Sequence, residues 1–179
     1  MTVTAPVAAP LTARDPRLSP WRAFLLAHRR LFRRMDEELR LEHDLSIAEY
    51  EALLTIAQAP NRRVRMGSLA ESVLLSKSGV TRLVDRLVTD GLVERGACLA
   101  DARGAEAILT ARGLTRLRAA SETHLRGIDE HFLAIVDGDD LAVLERTMDS
   151  LAREAGPGAG DAAYCAPDKG DSTTPSDRG

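Results

Sequence analysis

Hydroxyl side chains, an arginine and an acid share one face of a helix that the sequence predicts after Ser76. Ser78, Arg82, Asp85 and Thr89 follow one another at intervals of four, three and four residues, which places them in one row. Guanidinium and hydroxyl groups hydrogen-bond to phosphates and to base edges in a major groove. A solvated face with i,i+4 ion pairs would show the same spacing, so the row alone leaves both interpretations open.

The same helix carries the apolar stripe that would hold it against a core. Ser76 is a favourable N-cap, because its hydroxyl can accept a hydrogen bond from a free N–H of the first turn. Gly91 is placed to end the helix as a C-cap. Between these two residues, five apolar side chains at helical spacing predict the buried face: Val80, Leu83, Val84, Leu87 and Val88.

A short helix before Ser76 completes a helix-turn-helix pattern. A short strand is expected at Arg62–Arg65, ahead of this helix. Two short helices joined by a tight turn, with the polar row on the second, place a recognition helix in the major groove. The inward side chains predicted for the first of the two helices are Leu69, Ala70, Val73 and Leu74.

A β-hairpin is predicted after the recognition helix. Leu92–Arg95 and about Glu106–Leu109 read as its two strands, closed by a mobile loop rich in Gly and Ala. Such a hairpin beside a helix-turn-helix is a wing. Asp101 and Arg103 lie two positions apart on the loop, so the acid is expected to hold the guanidinium for a narrow A·T-rich minor groove. An ordinary solvated loop arginine is the alternative.

Long helices are predicted on both sides of this segment. Ser19 is expected to cap the first, Ser46 and Glu49 form a capping box at the next, and Thr110 caps the helix after the wing. The last helix has apolar residues spaced like a coiled-coil seam. The first helix has an apolar face broad enough to predict a partner subunit packed on it: Trp21, Phe24, Leu25, His28, Phe32, Met35 and Leu39.

The predicted fold class is therefore mainly α (α+β), with a winged helix-turn-helix domain and a two-stranded wing between long helices. Composition rich in Ala, Pro, Gly and Thr predicts loose structure at both ends. The chain divides into a flexible segment (1–18), a dimerisation helix (19–44), the DNA-binding domain (45–113), C-terminal dimerisation helices (114–155) and a disordered tail (156–179).

The formal net charge of −3 hides an uneven distribution. Residues 60–113 contain nine Lys or Arg against six Asp or Glu, whereas residues 114–154 contain five Arg against nine acids. The basic third surrounds the predicted recognition helix, as a DNA-binding surface requires. The same charge would suit the alternative function, a helical interaction protein that docks an acidic protein partner through this basic third.

Other classes of protein are disfavoured by motifs that the sequence lacks. It contains no phosphate-binding glycine loop, HExxH or GxSxG motif, so neither an enzyme activity nor a cofactor is expected. Cys98 and Cys165 are too few for a disulfide framework and favour a reducing cytoplasm. No apolar run approaches the roughly 18 residues of a membrane span, and the His and acidic residues within 124–131 do not share one helical face as metal ligands would. We expect a cytoplasmic, nucleoid-associated protein.

The motifs together resemble those of the MarR (multiple antibiotic resistance regulator) family of winged helix-turn-helix transcription factors. The resemblance is carried by Leu45-Ser46, Ser76–Leu87, Asp90–Arg95 and, after the wing, Leu109–Gly113. It implies a homodimer whose N- and C-terminal long helices form the dimerisation module. It also implies a repressor that binds double-stranded DNA at a palindromic operator and responds to a small, aromatic or anionic effector. Ala102 stands where many members carry a second basic wing residue.

The patterns and the resemblance name the residues expected to contact DNA. The hydroxyl residues and Arg82 would mostly hold phosphates, whereas Arg86 or Lys77 would reach guanine edges. Asp85 would either orient an arginine or accept a hydrogen bond from a cytosine amine. The full set is Arg65, Ser68, Ser76, Lys77, Ser78, Thr81, Arg82, Asp85, Arg86, Arg95, Asp101 and Arg103.

A second site is expected between the dimerisation helices and the winged domain. Clefts between helices commonly bind small molecules through a few polar groups in an apolar lining. Trp21, His28, Tyr50 and His124 are the candidate ligand-binding residues. The plainer alternative for His28 is an ordinary core or interface histidine.

Overall fold

The computed structural model describes residues 10–98 and 101–156, apart from the side chains of Cys98 and of residues 101–104. The α-helices are α1 (Ser19–His43), α2 (Ile47–Gln58), α3 (Met66–Ser72), α4 (Lys77–Thr89), α5 (Ala111–Ile128) and α6 (Gly138–Ala155). The strands are β1 (Arg63–Arg65), β2 (Val93–Cys98) and β3 (Asp101–Leu109). The predicted fold class is confirmed. The structural expectations for residues 1–9 and 157–179 fall outside the described residues.

The chain enters α1 through a 3-10 turn, Pro16–Leu18, and not through the predicted Ser19 cap. The Asp15 carboxylate caps this turn by accepting a hydrogen bond of 2.9 Å from the Arg17 N–H. Ser19 already lies inside α1. The Ser19 prediction was wrong because an acid four residues earlier satisfies a donor of the first turn.

Side chains from both helices close the corner between α1 and α2. Ser46 Oγ accepts a hydrogen bond from the Glu49 N–H at 3.2 Å, and the Glu49 carboxylate accepts one from the Ser46 N–H at 2.7 Å. This confirms the predicted capping box. Asp36 of α1 accepts a hydrogen bond of 2.8 Å from the Ile47 N–H, and Asp44 turns the chain in the left-handed conformation (φ 51°). These contacts set the direction in which α2 leaves α1.

Helices α3 and α4 and the turn between them form the helix-turn-helix. Leu69, Ala70 and Val73 are buried, as predicted. Leu74 is 92% exposed and adopts a φ of 52°. The prediction that Leu74 faces inward was wrong because α3 ends at Ser72, and the backbone then turns into the left-handed conformation.

Both ends of α4 carry the predicted residues. Ser76 Oγ accepts a hydrogen bond of 3.1 Å from the Gly79 N–H. Gly91 follows the C-cap residue Asp90 with a φ of 69°, and its N–H donates to the Val88 carbonyl at 3.0 Å. Because glycine has no Cβ to clash at positive φ, the chain can reverse directly into β2.

The strands form one antiparallel sheet in the order β1-β3-β2. The predicted hairpin is present, but β2 runs on to Cys98 and β3 begins already at Asp101. The register shifts between Ala97 and Cys98. The predicted extent of the loop was wrong, because Gly and Ala have low strand propensity and give no sequence signal for backbone pairing.

A Thr-x-x-Gly segment joins the wing to α5. Thr110 Oγ1 accepts a hydrogen bond of 2.9 Å from the Gly113 N–H, which confirms the predicted cap, and donates one of 2.8 Å to the Gly91 carbonyl. A Cβ on Gly113 would lie 2.0 Å from the Leu92 carbonyl oxygen. Glycine is therefore required where α5 approaches the start of β2.

The buried core lies in the winged-helix segment and in the parts of α1 and α5 that pack against it. Its members run from Leu39 to Ala120, and Leu53 and Val84 are among those with no exposed surface. In α1 the buried residues begin at Met35. Helix α6 is described throughout and contains no buried residue. The flanking helices therefore leave much of their apolar surface uncovered within one chain.

Candidate nucleic-acid interface

Helix α4 presents its polar row outward because its apolar stripe is held in the core. Val80, Val84 and Leu87 are buried, Leu83 is half-buried, and only Val88, near the end of the helix, is exposed. The predicted buried face is thus confirmed except at its last residue. The exposed members of the predicted DNA-contacting set on α4 and its N-cap are Ser76, Lys77, Ser78, Thr81, Arg82, Asp85 and Arg86.

The hydroxyl groups of this face are already hydrogen-bonded within the protein. Thr81 Oγ1 donates to the Lys77 carbonyl at 2.8 Å. The hydroxyl oxygens of Ser76 and Ser78 lie 3.1 Å apart and share a hydrogen bond. A hydroxyl that donates elsewhere offers only its lone pairs, whereas phosphate oxygens need donors. Phosphate binding by Thr81, and by whichever of the two serines donates to the other, would therefore require the hydroxyl to rotate.

Two cations on α4 have free donors. Within residues 10–98 and 101–156, no hydrogen bond or ion pair joins the side chain of Lys77 or Arg82 to another residue, and both are exposed. Arg65 of β1 and Ser68 of α3 are exposed as well. Unpaired cationic donors can bind phosphates or base edges without breaking a bond in the protein.

Asp85 pairs with an arginine of the wing. Its Oδ1 accepts a hydrogen bond of 2.7 Å from Arg95 Nη2, which joins α4 to β2. The sequence left two roles open for Asp85, orienting an arginine or accepting a hydrogen bond from a cytosine amine. The contact with Arg95 corresponds to the first of these roles. Both side chains are largely exposed, so the pair adds little to stability. Its effect is to hold the Arg95 guanidinium beside α4.

Arg86 is engaged by three acids, and sequence reasoning missed this cluster. Arg86 Nε lies 3.2 Å from Glu49 Oε1 and 3.8 Å from Asp90 Oδ2. Its Nη2 donates to the carbonyl and to the Oδ1 of Asp44, both at 3.2 Å. Asp44 is 42 positions from Arg86, and no spacing rule relates residues so far apart. The expectation that Arg86 reaches a guanine stays a prediction.

The wing residues Asp101 and Arg103 belong to β3 by their backbone. Their side chains are outside the described residues. The pairing of Asp101 with Arg103 and the minor-groove contact therefore stay predictions. Cys98 of β2 lies opposite Asp101 in the Cα register, so this point of the wing is hairpin and not open loop.

The four predicted ligand-binding residues fall into two pairs. The rings of Tyr50 and His124 have centroids 4.5 Å apart, and the Tyr50 hydroxyl donates to Ser121 Oγ at 3.4 Å. Trp21 and His28 instead lie on the exposed face of α1, in a ladder of rings with centroids 5.9, 6.3 and 4.2 Å apart. The members of this ladder, in order, are Trp21, Phe24, His28 and Phe32.

Burial shifts the titration of the Tyr50–His124 pair. Burial raises the pKa of the Tyr50 phenol, against the weaker opposing effect of its hydrogen bond with Ser121. Burial lowers the pKa of His124. His124 Nδ1 is buried without a hydrogen-bond partner among the described residues. Both rings are therefore neutral at pH 7 and provide polar groups beside apolar surface.

The described segments contain neither a candidate metal site nor a helix suited to crossing a bilayer. Among residues 10–98 and 101–156, no three His, Cys, Asp or Glu side chains come together as metal ligands would. Within the same ranges, none of the helices combines the length and the apolar character needed to cross a bilayer.

The arrangement of elements matches a known family. The model of the MarR family matches residues 43–104, from the α1–α2 corner into the wing. The fold is that of the MarR family. AbsC, a MarR family transcriptional regulator from Streptomyces coelicolor, is similar with a TM-score of 0.73 and 27% identity, and the match covers 82% of this chain and 98% of AbsC. The resemblance to the MarR family that the sequence motifs carry is thus confirmed by the family model and by these similar structures.

Two further similar structures contain bound molecules. Sco3205, a MarR family transcriptional regulator from Streptomyces coelicolor in complex with DNA, has a TM-score of 0.73 and 27% identity, with 86% of this chain and 94% of Sco3205 covered. The organohalide-sensing regulator RdhR-CbdbA1625, in its 2,4-dichlorophenol-bound form, has a TM-score of 0.67 and covers 85% of this chain and 89% of its own. At 16% identity it shows the fold alone. No curated protein matches this chain in sequence.

The MarR-family fold is that of transcription regulators, which are not enzymes. Together with the DNA complex of Sco3205, it supports a DNA-binding regulator. In this chain the same fold holds the polar face of α4 outward and places the wing beside it.

Proposed function

We propose that the chain is a sequence-specific transcriptional repressor that binds a palindromic operator as a homodimer and acts at the nucleoid. The observation that carries the proposal is the exposed polar face of α4, on which Lys77 and Arg82 have no side-chain partner among the described residues, while the opposite face is fixed in the core. Cations in such a row bind phosphates, and those that reach further read base edges. Arg65, Ser68 and the wing residues would extend the contact on either side of α4.

Exposed apolar surface on the flanking helices supports the homodimer. Trp21, Phe24 and Leu25 are 56%, 43% and 44% exposed, and they lie on one side of α1. Monomeric soluble proteins rarely leave contiguous apolar patches of this kind uncovered. We propose that residues 19–44 and 114–155 form the dimerisation module and that residues 45–113 form the DNA-binding domain. Two copies of α4 would then read half-sites about 10 bp apart.

A small aromatic or anionic effector is proposed to bind beside Tyr50 and His124. The unsatisfied Nδ1 of His124 supports a polar contact with a ligand there. The 2,4-dichlorophenol bound to RdhR-CbdbA1625 provides a precedent for an aromatic ligand in this fold. Tyr50 lies on α2 and His124 on α5, so a ligand beside both rings would alter the contact between the winged domain and the long helices.

Selection from a random-sequence duplex library, followed by gel shifts with the selected duplex, tests DNA binding. The expected product is a palindrome whose affinity falls steeply as salt rises. Arg82→Ala should lower the salt slope by about 1, because one phosphate contact is lost. Arg118→Ala, an exposed arginine of α5, is the matched control and should leave the slope unchanged. A folded dimer that selects no duplex at low salt would contradict the proposal.

The effector proposal is tested with 2,4-dichlorophenol and with benzoate as the anionic aromatic probe. Either compound should release the selected duplex, and His124→Phe should reduce that release while leaving DNA affinity unchanged. Undiminished release from the His124→Phe protein would place the effector elsewhere.

A further inference from the structure

The contacts of Arg86 indicate a role that DNA reading does not explain. We propose that Arg86 is a positioning residue, which sets the orientation of α4 against the α1–α2 corner and does not read a base. The inference rests on the proposed DNA-binding function, since it concerns how α4 is presented to the operator.

Glu49, the acid that faces Arg86, is buried and only 4% exposed. One carboxylate oxygen, Oε2, accepts hydrogen bonds of 2.7 Å from both the N–H and the hydroxyl of Ser46. The other oxygen, Oε1, faces Arg86 Nε at 3.2 Å. A buried carboxylate without a counter-charge is costly. If Arg86 turned toward DNA, it would leave Glu49 buried and unpaired.

The guanidinium of Arg86 is also held from a second side, by Asp44. Its Nη2 donates to the backbone carbonyl and to the carboxylate of Asp44, both at 3.2 Å. Asp44 ends α1, while Glu49 lies in the first turn of α2. Because a guanidinium is planar with donors in a fixed fork, contacts on two sides fix its plane as well as its position. Arg86 thus ties α4 to two helices at once.

Arg82, one turn earlier on the same helix, differs from Arg86 in its contacts. No ion pair or hydrogen bond joins Arg82 to another residue in the described ranges, whereas Arg86 has three acidic neighbours. Both arginines are exposed, so access to DNA does not separate them. They differ in their pairing within the protein, which leaves Arg82 available to the operator and engages Arg86 with the α1–α2 corner.

The α1–α2 corner that Arg86 contacts is also hydrogen-bonded to the long helices. Asp36 of α1 caps α2 through the Ile47 N–H at 2.8 Å. Glu42, near the end of α1, accepts a hydrogen bond of 2.8 Å from Thr123 of α5. A shift of α1 relative to α5 would therefore reach α4 through Asp44 and Arg86.

A double-mutant cycle on the duplex selected by the wild-type protein tests the proposal, with single-base-pair variants of that duplex as a panel. Glu49→Gln removes the charge that holds Arg86 but keeps an oxygen for the Ser46 capping bonds. We expect it to weaken binding about tenfold and equally for every duplex of the panel, within the range for one ion-pair network. Arg86→Ala should add less than about twofold in the Glu49→Gln background. The salt slope should stay at its wild-type value.

Arg82→Ala is the matched control, because its effect should multiply with that of Glu49→Gln. All affinities are measured where urea titration shows the variant fully folded. If Arg86→Ala does not fold, Arg86→Lys keeps the charge without the fork and should show the same uniform loss and the same non-additivity.

Three outcomes would overturn the inference. A loss confined to one base pair, with normal affinity of the Glu49→Gln protein, would make Arg86 a base reader. Lower stability with unchanged affinity of the folded variants would make it only a structural residue. A wild-type protein that selects no duplex would overturn the proposed function and the inference with it, whereas the first two outcomes leave the proposed function intact.

Discussion

The winged-helix segment and the helices that flank it differ in how much of their apolar surface is buried within one chain. In the segment, side chains such as Leu53, Val84 and Leu87 have no exposed surface. In the flanking helices, α6 buries nothing and Trp21 of α1 is more than half exposed. Burial of apolar surface is the main favourable term in folding, at about 25 cal/mol per Å². One chain therefore supplies the packing of the winged domain but leaves that of the flanking helices to contacts beyond itself.

The exposed ion pairs along α1 differ in the same way from the Arg86 cluster of the winged domain. On α1, Arg33 pairs with Glu37 and Arg34 with Glu38 at i,i+4 spacing and 3.7 Å, where water screens them. In the winged domain, Arg86 neutralises a buried carboxylate. These two pairs of α1 thus stay within one helix, whereas Arg86 joins α4 to α1 and α2.

The largest effect is expected from a charge placed on the uncovered face of α1. Leu25→Glu should raise the dissociation constant of the proposed dimer by about a hundredfold or more, because two charges per dimer would be buried. Sedimentation velocity across a concentration series measures the change. The winged domain should keep its fold, since Leu25 lies outside the buried core.

Arg30→Glu provides the control, because residue 30 lies on the opposite side of α1 from residues 21 and 39. It should leave the dimer intact. Equal dissociation by both variants, or by neither, would mean that this face of α1 does not mediate dimerisation.

A smaller effect is expected from loss of the buried ion pair. Arg86→Ala should lower the free energy of unfolding by about 1–3 kcal/mol, since the buried Glu49 carboxylate is left without a counter-charge. Arg82→Ala should change it by no more than about 0.5 kcal/mol, as for most surface substitutions. Urea denaturation of the two variants gives the comparison. Equal losses would show that Glu49 finds another partner.

Much of the winged domain could be predicted because its signals are local. The stripe of α4, its Ser76 cap and the reversal at Gly91 depend on residues within a few turns of one another. The Ser46–Glu49 capping box is local in the same way. The resemblance to the MarR family then predicted how these elements are arranged in one fold.

What the sequence could not show depends on distant contacts or on backbone pairing. The Arg86–Asp44 contact joins residues 42 positions apart, so no periodicity marks it. The extension of β3 to Asp101 runs through small side chains that have little strand propensity. The candidate DNA-contacting residues could be named from the sequence, but which arginine has free donors required the structure.

Leu74 is the exposed apolar exception within the helix-turn-helix. Its φ of 52° is unfavourable for a residue with a branched side chain. Because the side chain is exposed, no burial of apolar surface offsets this cost. Leu74→Asn should raise the free energy of unfolding by up to about 1 kcal/mol, because Asn tolerates the left-handed conformation better. Urea denaturation measures this, with Leu75→Asn, at a half-buried position, as a destabilising control. A loss of stability in Leu74→Asn would indicate that Leu74 is covered by a partner subunit.

The smallest effect is expected where the two regions meet, at His124. Burial lowers the pKa of His124 in the folded chain below the ordinary value of about 6.5, so the unfolded state takes up the proton first. The stability from neutral His124 is fully present above that value and is lost as pH falls toward the lowered folded pKa. His124→Phe should therefore show a shallower fall of unfolding free energy between about pH 7.5 and 5.5. Tyr50→Phe should keep the wild-type slope, because burial raises the pKa of Tyr50 further from this range. If the unfolding free energy of the wild type and of His124→Phe fell equally with pH, water would reach the His124 ring. The boundary between α2 and α5 would then be solvated like the exposed faces of the flanking helices.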